Sequence, residues 1–464
     1  MILEQYYLGC LAHASYLIGD AETGIAAVVD PRRDVDGYIE DAVRLGLTIK
    51  HVFLTHFHAD FLAGHLELRD KVGTQIHLGA QADADCAFVP MADGSTVEMG
   101  SVRLQVLETP GHTPEGICVL VYDLAVDAEK PHAVLTGDTL FIGAVGRPDL
   151  MASIGVSADD LAGMMYDSLR SKLLPLADET LVYPGHGAGS LCGKNLSTDT
   201  VSTIGVQRLF NYALQPMSKR KFILVITQDQ PQMPQFFAYD AALNKRERPT
   251  LDQTIERVMV PLTLDELLEQ QAAGAQVLDV RDPADYEGAY MAGAISIGIA
   301  GSFAPWAGVV LDQTRPVVVI ADPGLEEEVA VRLGRIGFDN MAGYLDGGMQ
   351  SLASRPDLVL RTERITVPTL AEQLASTDVP AVLDVRAAGE WGDRHIAGSV
   401  NVPPTFLKDM MGEVPDGRPL IVQCAGGYRS AIAISILENQ GFTNLIDLVG
   451  GLGAWEASKL ETVK

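Results

Sequence analysis

Five short stretches of the chain carry side chains able to do chemistry. Four hold imidazoles and carboxylates: Thr55-His56-Phe57-His58-Ala59-Asp60, Pro110-Gly111-His112-Thr113, Thr136-Gly137-Asp138-Thr139 and Pro184-Gly185-His186-Gly187. Neutral imidazole nitrogens and carboxylate oxygens are donors that divalent transition metals accept, so brought together they would make a metal centre. The fifth stretch is Cys424-Ala425-Gly426-Gly427-Tyr428-Arg429-Ser430, between an apolar strand at 420–423 and a helix expected over 431–440. A cysteine there faces the N–H groups and positive dipole end of a helix, with Arg429 beside it, which favours the thiolate and a nucleophilic sulfur. Ala425, Gly426, Gly427 and Tyr428 form the loop that would wrap an anion.

These groups need strand ends to hold them. The histidines are concentrated, nine of ten within the first 186 residues, so one region does the imidazole chemistry. Apolar runs there predict strands at 25–29, 51–54, 102–107, 117–122, 133–135 and 179–183, with a helix at 35–45. His56 follows the 51–54 strand directly, and its motif projects from a strand end. The segment 219–249, with its prolines, glutamines and Lys245-Arg246-Glu247-Arg248, reads as a tail and linker.

The second half repeats itself. Val277-Leu278-Asp279-Val280-Arg281 recurs as Val382-Leu383-Asp384-Val385-Arg386, and Asp346-Gly347-Gly348 recurs as Val449-Gly450-Gly451. Each copy alternates strands and helices, which implies a parallel sheet covered on both faces. The copies differ where chemistry would occur. Cys424 aligns with Ala321 and Arg429 with Glu326, in a run that continues Glu327-Glu328. Without a thiol, and with three acids where an anion should sit, the first copy cannot share the chemistry of the second. It reads as a spacer or docking surface.

Length and composition bound the rest. The chain has 464 residues, 47% hydrophobic, and a net charge of −27, enough for two to four domains with proper cores. The acid is spread evenly and no basic arm exists to meet phosphates, which argues against nucleic acid and anionic membrane surfaces as partners. The uncharged run 290–311 is long enough to span a bilayer, but its glycines and Pro305 make it a loop with a short strand. Five widely spaced cysteines are no disulfide framework, and the N-terminus lacks a basic region ahead of an apolar core. The expectation is a cytoplasmic protein.

The ordered series His-x-His-x-Asp, Gly-His-Thr, Gly-Asp-Thr and Gly-His resembles the metallo-β-lactamase fold, an αββα sandwich with metal at one sheet edge. Dinuclear members commonly place His directly after the motif aspartate, where this chain has Phe61, so one well-furnished metal position is expected. The stretch from Gly137 to Leu150, including Gly146-Arg147-Pro148-Asp149, is similar to the persulfide dioxygenase branch. That resemblance implies one Fe(II) per chain held by His56, His112 and Asp138, with His58, Asp60 and His186 orienting ligands or waters around it. It also implies that Arg147 faces the substrate and pairs with its carboxylate. Where the branch often carries a cysteine, this chain has Ala144 and Val145.

The Cys424 loop, with Asp384-Val385-Arg386 and His395-Ile396-Ala397-Gly398 upstream, resembles the rhodanese fold of sulfurtransferases. By that resemblance Cys424 carries a persulfide stabilised by the loop amides. The Cys-x₄-Arg spacing encloses a sulfane sulfur, whereas related phosphatase loops are one residue longer. The whole is thus expected to be an α/β and α+β multidomain chain. Residues 1–252 would form the metallo-β-lactamase-fold dioxygenase, 253–358 an inactive rhodanese-like domain and 359–464 the catalytic one. Such fusions imply oxidation of a low-molecular-weight thiol persulfide by O₂ to sulfite, sulfane sulfur transfer involving thiosulfate, and a homodimer or homotetramer. The alternatives are a zinc-dependent thioester hydrolase of the same fold, fused to a sulfurtransferase, and a non-enzymatic sulfur-sensing or docking protein.

Overall fold

The strand Ile117–Asp123 shows how the first part of the chain is layered. Side chains on a strand alternate between faces, yet six of its seven residues are buried. Ile117, Val119 and Val121 pack with Val102, Leu104 and Val106 of the neighbouring strand and with Tyr16, Ile18, Val29 and Phe53. Cys118, Leu120 and Tyr122 face the other way and pack with Ala162, Met165, Phe222 and Ile226. One face therefore meets a second sheet and the other meets helices.

The computed structural model describes residues 1–150, 155–228, 230, 233, 234, 236–377 and 379–464. It divides into two units, Met1–Thr254 with Gly334–Gly337, and Ile255–Leu333 with Phe338–Lys464. In the first unit, one six-stranded sheet runs in chain order through Ile2–Leu8, His13–Asp20, Ile25–Val29, Thr48–Phe53, Gln75–Gly79 and Val89–Met91. The other takes Thr96–Met99, Val102–Glu108, Ile117–Asp123, Ala133–Gly137, Leu181–Pro184 and Ser202–Thr203, again in chain order. Helices Asp36–Arg44 and His65–Val72 lie against the first sheet. Helices Ala158–Ser168 and Lys219–Thr227 cover the second through the Leu120 cluster. The architecture is the αββα sandwich.

The segment 219–249 is not a tail. It contains the helices Lys219–Thr227 and Phe236–Asn244, with residues 229, 231, 232 and 235 outside those described. Phe222, Ile226, Phe236 and Phe237 are buried, and Asn244 donates to the carbonyls of His58 and Phe61 at 2.8 Å each. Charged and proline residues at its ends hide an apolar stripe that belongs to the core.

The second unit holds two parallel sheets of identical order. The first runs Pro261–Leu262, Met341–Leu345, Val317–Ile320, Gln276–Asp279, Ile295–Ser296; the second runs Glu363–Ile365, Leu445–Leu448, Leu420–Gln423, Ala381–Asp384, Val400–Asn401. The repeated Asp-x-Arg has a structural use in both. Arg281 pairs with Asp279 at 2.6 Å and donates to the Ala289 carbonyl at 2.8 Å, while Arg386 pairs with Asp384 at 2.7 Å and donates to the Arg394 carbonyl at 2.7 Å. Each ion pair ties a buried strand end to the loop beyond it. The helix Tyr428–Asn439 is buried without a break from Ser430 to Leu437, as a helix packed on all sides must be. It has its own sheet on one side and Pro283–Gly288 and Ile295–Ser296 of the first repeat on the other. No helix among the described residues is long and apolar enough to cross a membrane, the run 290–311 included.

Candidate functional site

Three strand ends of the first unit converge on one metal-type cluster. His56 leaves the strand Thr48–Phe53 through Thr55, whose N–H and hydroxyl donate to the Asp30 carboxylate at 2.7 and 2.8 Å. That hydroxyl hydrogen being used, its oxygen accepts from His56 Nδ1 at 3.0 Å. His112 Nδ1 donates to the Arg147 carbonyl at 2.8 Å. Both rings are thereby held in the tautomer that presents Nε2. Those two Nε2 atoms are buried with no hydrogen-bond partner, and they lie 3.8 and 3.4 Å from Asp138 Oδ2.

Donors about 2.1 Å from a shared ion stand roughly 3 Å apart when adjacent. The three groups, all within 4.8 Å of one another, meet that requirement with modest closure. Burial lowers the proton affinity of His56 and His112, leaving them neutral as ligation demands. Burial also pushes the Asp138 carboxyl up, but the His186, His56 and His112 rings outweigh it and hold the group far below the usual range. These residues fit a metal ion.

Asp138 is aimed by backbone as well as side chain. Gly137 precedes it with φ +47°, at a register shift in the strand pairing, and a Cβ there would stand 2.4 Å from Thr55 Oγ1. Only glycine lets the two ligand-bearing loops come this close. Behind Asp138, His186 Nδ1 contacts Oδ1 at 2.8 Å while His186 Nε2 contacts Asp60 Oδ2 at 2.9 Å. Burial works against charge on this ring, yet the two flanking carboxylates raise its proton affinity well above normal. His58 packs between His56 and Phe61, ring centroids 4.2 and 4.3 Å away, and its Nε2 is 3.0 Å from Asp30 Oδ1.

Cys192, Arg147 and His13 lie beside this cluster. Cys192 is buried and its sulfur groups with Asp60 and His186 within 4.8 Å; burial and the nearby carboxylates keep it a thiol. Arg147 is 1% exposed. Its guanidinium grips Asp149 at 2.6 and 2.8 Å and donates to the Leu191 carbonyl at 3.1 Å. Its own carbonyl orients His112. His13, at the start of its strand, is buried against Phe61 and near His186. Asp30, directly after the strand Ile25–Val29, follows the same strand-end rule as His56, and that placement was the available signal for it; His13 opens its strand instead.

In the second unit Cys424 ends the strand Leu420–Gln423, and its sulfur accepts from the Gly427 N–H at 3.1 Å. The loop is clasped from behind: the N–H groups of Leu452 and Gly453 donate to the carbonyls of Cys424 and Ala425 at 2.8 and 3.0 Å. Gly451 makes this approach possible, with φ +55° and a Cβ position only 2.2 Å from the Cys424 carbonyl. Ser430, below the sulfur, donates to Asp447 at 2.7 Å. Arg429 is held by Glu390 in a two-pronged ion pair of 2.6 and 3.0 Å. In the first repeat the Glu326 carboxylate accepts from the Gly324 N–H at 2.7 Å, so a resident acid occupies a loop amide beside Ala321.

Comparison with known proteins agrees with both halves. The rhodanese-like domain family matches residues 263–355 and 366–458. The chain aligns with the mitochondrial persulfide dioxygenase ETHE1 of Bos taurus at 29% identity, over 53% of its own length and 88% of that protein. A crystal structure titled metallo-beta-lactamase, from Staphylococcus aureus, is 32% identical, covers 74% of this chain and 98% of its own, and superposes with a TM-score of 0.65. The chain belongs to the metallo-β-lactamase-fold proteins. Within that fold its first domain is ETHE1-like and is fused to two rhodanese domains. A hydroxyacylglutathione hydrolase of Rhizobium etli is also related, 35% identical over 37% of this chain and 60% of its own length. The two rhodanese-like domains are a feature beyond the part of this chain that the hydrolase matches.

Proposed function

We propose that the chain oxidises a low-molecular-weight thiol persulfide to sulfite at a single non-haem Fe(II) and moves sulfane sulfur through Cys424. The first reaction is RSSH + O₂ + H₂O giving RSH and sulfurous acid, with four electrons passing from sulfur to dioxygen. What carries the reading is the pairing of two constellations in one chain: the unpartnered Nε2 atoms of His56 and His112 facing Asp138, and Cys424 in its amide loop.

When bound, Fe(II) in a two-histidine, one-carboxylate site supplies the redox chemistry that dioxygen needs and that zinc lacks. The chain's own residues set the stage. Thr55 and the Arg147 carbonyl hold the two imidazoles in one tautomer, and His186 takes up the other side of Asp138. At the second site the Cys424 thiolate attacks the outer sulfur of a persulfide; a new S–S bond forms, the donor's S–S bond breaks, and the thiolate RS⁻ leaves. Sulfite can then take the sulfane sulfur as thiosulfate, which frees Cys424. Joining the sites raises the effective concentration of sulfite, the product of one and acceptor of the other. The bulk charge of −27 suits a soluble cytoplasmic protein.

The related hydrolase supplies the rival, a zinc thioesterase. Metal analysis with an oxygen electrode separates them. Iron near one per chain and O₂ uptake on glutathione persulfide are expected. Zinc, no uptake and turnover of S-lactoylglutathione would overturn the dioxygenase reading.

A further inference from the structure

Cys424 lies at the edge of a cavity of about 550 Å³ whose far wall comes from the first repeat: Gly301, Ser302 and Trp306. That wall is fastened to the helix following the cysteine at three levels. Tyr428 donates to the Gly298 carbonyl at 2.7 Å, the Ser296 N–H donates to Ser435 Oγ at 3.1 Å, and Tyr290 donates to Glu438 at 2.5 Å. At Gly301 a Cβ would stand 2.3 Å from the Tyr428 ring, so the ring rests on bare backbone. The two repeats are keyed together around the cavity, in register with the nucleophile.

The cavity is far larger than sulfite or thiosulfate, each of a few heavy atoms, would fill; its volume is that of sites for whole organic ligands. Its chemistry also suits an organic group. Trp306 is half-buried on the helix Phe303–Val310. The indole N–H groups of Trp391 and Trp455 donate to Ser399 Oγ and the Glu461 carbonyl, while no acceptor among the described residues takes that of Trp306. It offers a flat apolar face and a spare donor, the combination that makes tryptophan a strong binding anchor. The nearest cation, Arg429, is already matched by Glu390, so a small dianion finds little unspent charge.

We propose that the rhodanese-like repeat lacking a cysteine forms the thiol-carrier subsite of Cys424, with Trp306 and Ser302 selecting organic persulfides over inorganic sulfur donors. The inference rests on Cys424 being the sulfur carrier. Its electron balance is that of the exchange above: Cys424–S⁻ + RS–SH gives Cys424–S–SH + RS⁻, with the carrier R seated against Trp306.

The test uses the full-length protein under anaerobic conditions, so that the first domain consumes no persulfide. Thiosulfate formation from glutathione persulfide and sulfite is compared with thiosulfate:cyanide transfer. Trp306→Ala is expected to raise KM for glutathione persulfide about tenfold, the loss typical of a binding anchor, and to leave thiosulfate:cyanide transfer within about twofold. Ser302 is exposed, so Ser302→Tyr tests the wall without risk to the core: it should obstruct the persulfide and spare thiosulfate. Equal effects on both donors, or none on either, overturn the subsite. Cys424→Ser is the control for the underlying reading. If it keeps both activities, the carrier assignment itself is wrong; if it loses both, the outcome for Trp306 and Ser302 judges the subsite alone.

Discussion

Arg429 and Glu390 face each other beside the Cys424 loop, Nη1 to Oε2 at 2.6 Å and Nη2 to Oε1 at 3.0 Å. The pair decides what the loop offers an anion. Hydrogen bonding to Arg429 holds Glu390 below its normal range against the opposing effect of burial, so it stays ionised near neutrality. A doubly charged donor must compete with that carboxylate for the guanidinium. Glu390→Gln keeps the shape and removes the charge. Its KM for thiosulfate should fall about three- to tenfold, as expected for freeing one charge-assisted contact in a partly exposed site. An unchanged or higher KM in steady-state thiosulfate:cyanide assays counts against a competing role for Glu390.

The metal cluster makes a separable prediction. His56→Ala, His112→Ala or Asp138→Ala removes one of three donors that lie within 4.8 Å of each other. Each should lower bound metal and persulfide-dependent O₂ uptake by more than about 100-fold, while His186→Ala, which removes the bridge between Asp138 and Asp60, should cost about 10- to 100-fold. Cyanide-dependent sulfur transfer should persist in all four. Metal content by mass spectrometry and the two activity assays decide the matter; loss of sulfur transfer with loss of metal would contradict two independent sites.

The placement of His56, His112, Asp138, His186 and Cys424 was legible in the sequence because each stands next to a strand end. Strand–helix alternation in the repeat predicted the parallel sheets of the second unit, while the sandwich of the first was expected from the resemblance of its motifs. Contacts across space were not legible. Asp30 holds Thr55 from 25 residues away, and Trp306 reaches the Cys424 cavity from another repeat; no local pattern encodes such a meeting. The helix at Phe236–Asn244 was masked by prolines and charges around it. Arg147 is a similar case: its partners, Asp149 and the Leu191 carbonyl, are visible only in the packing.

Arg147 accordingly should act through His112. Its guanidinium is anchored and its carbonyl orients the ring at 2.8 Å, so Arg147→Met would loosen the loop that carries that carbonyl. Bound metal and kcat for O₂ uptake should fall together, by about tenfold or more, in line with other groups that orient metal ligands. KM for glutathione persulfide should change by less than about threefold, and Asp149→Asn should reproduce the pattern. A large rise in KM with full metal content would instead favour Arg147 as a contact for the substrate carboxylate.

The join between the repeats carries a pH signature. Glu287 is 2% exposed, lies 2.9 Å from Arg364, and shares that cation with Asp447. Burial, reinforced by Asp447 and only partly offset by Arg364, raises its carboxyl from 4.5 to about 8. Between these two values the folded protein holds a proton that the unfolded chain has released, so stability falls as pH rises through that window and levels off above about 8. Glu287→Gln removes the linked proton. Its melting temperature should gain steadily on the wild type as pH is raised from about 4.5 to about 8 and then run parallel. A constant difference between the two proteins across that range, measured by calorimetry, would show that Glu287 does not titrate there.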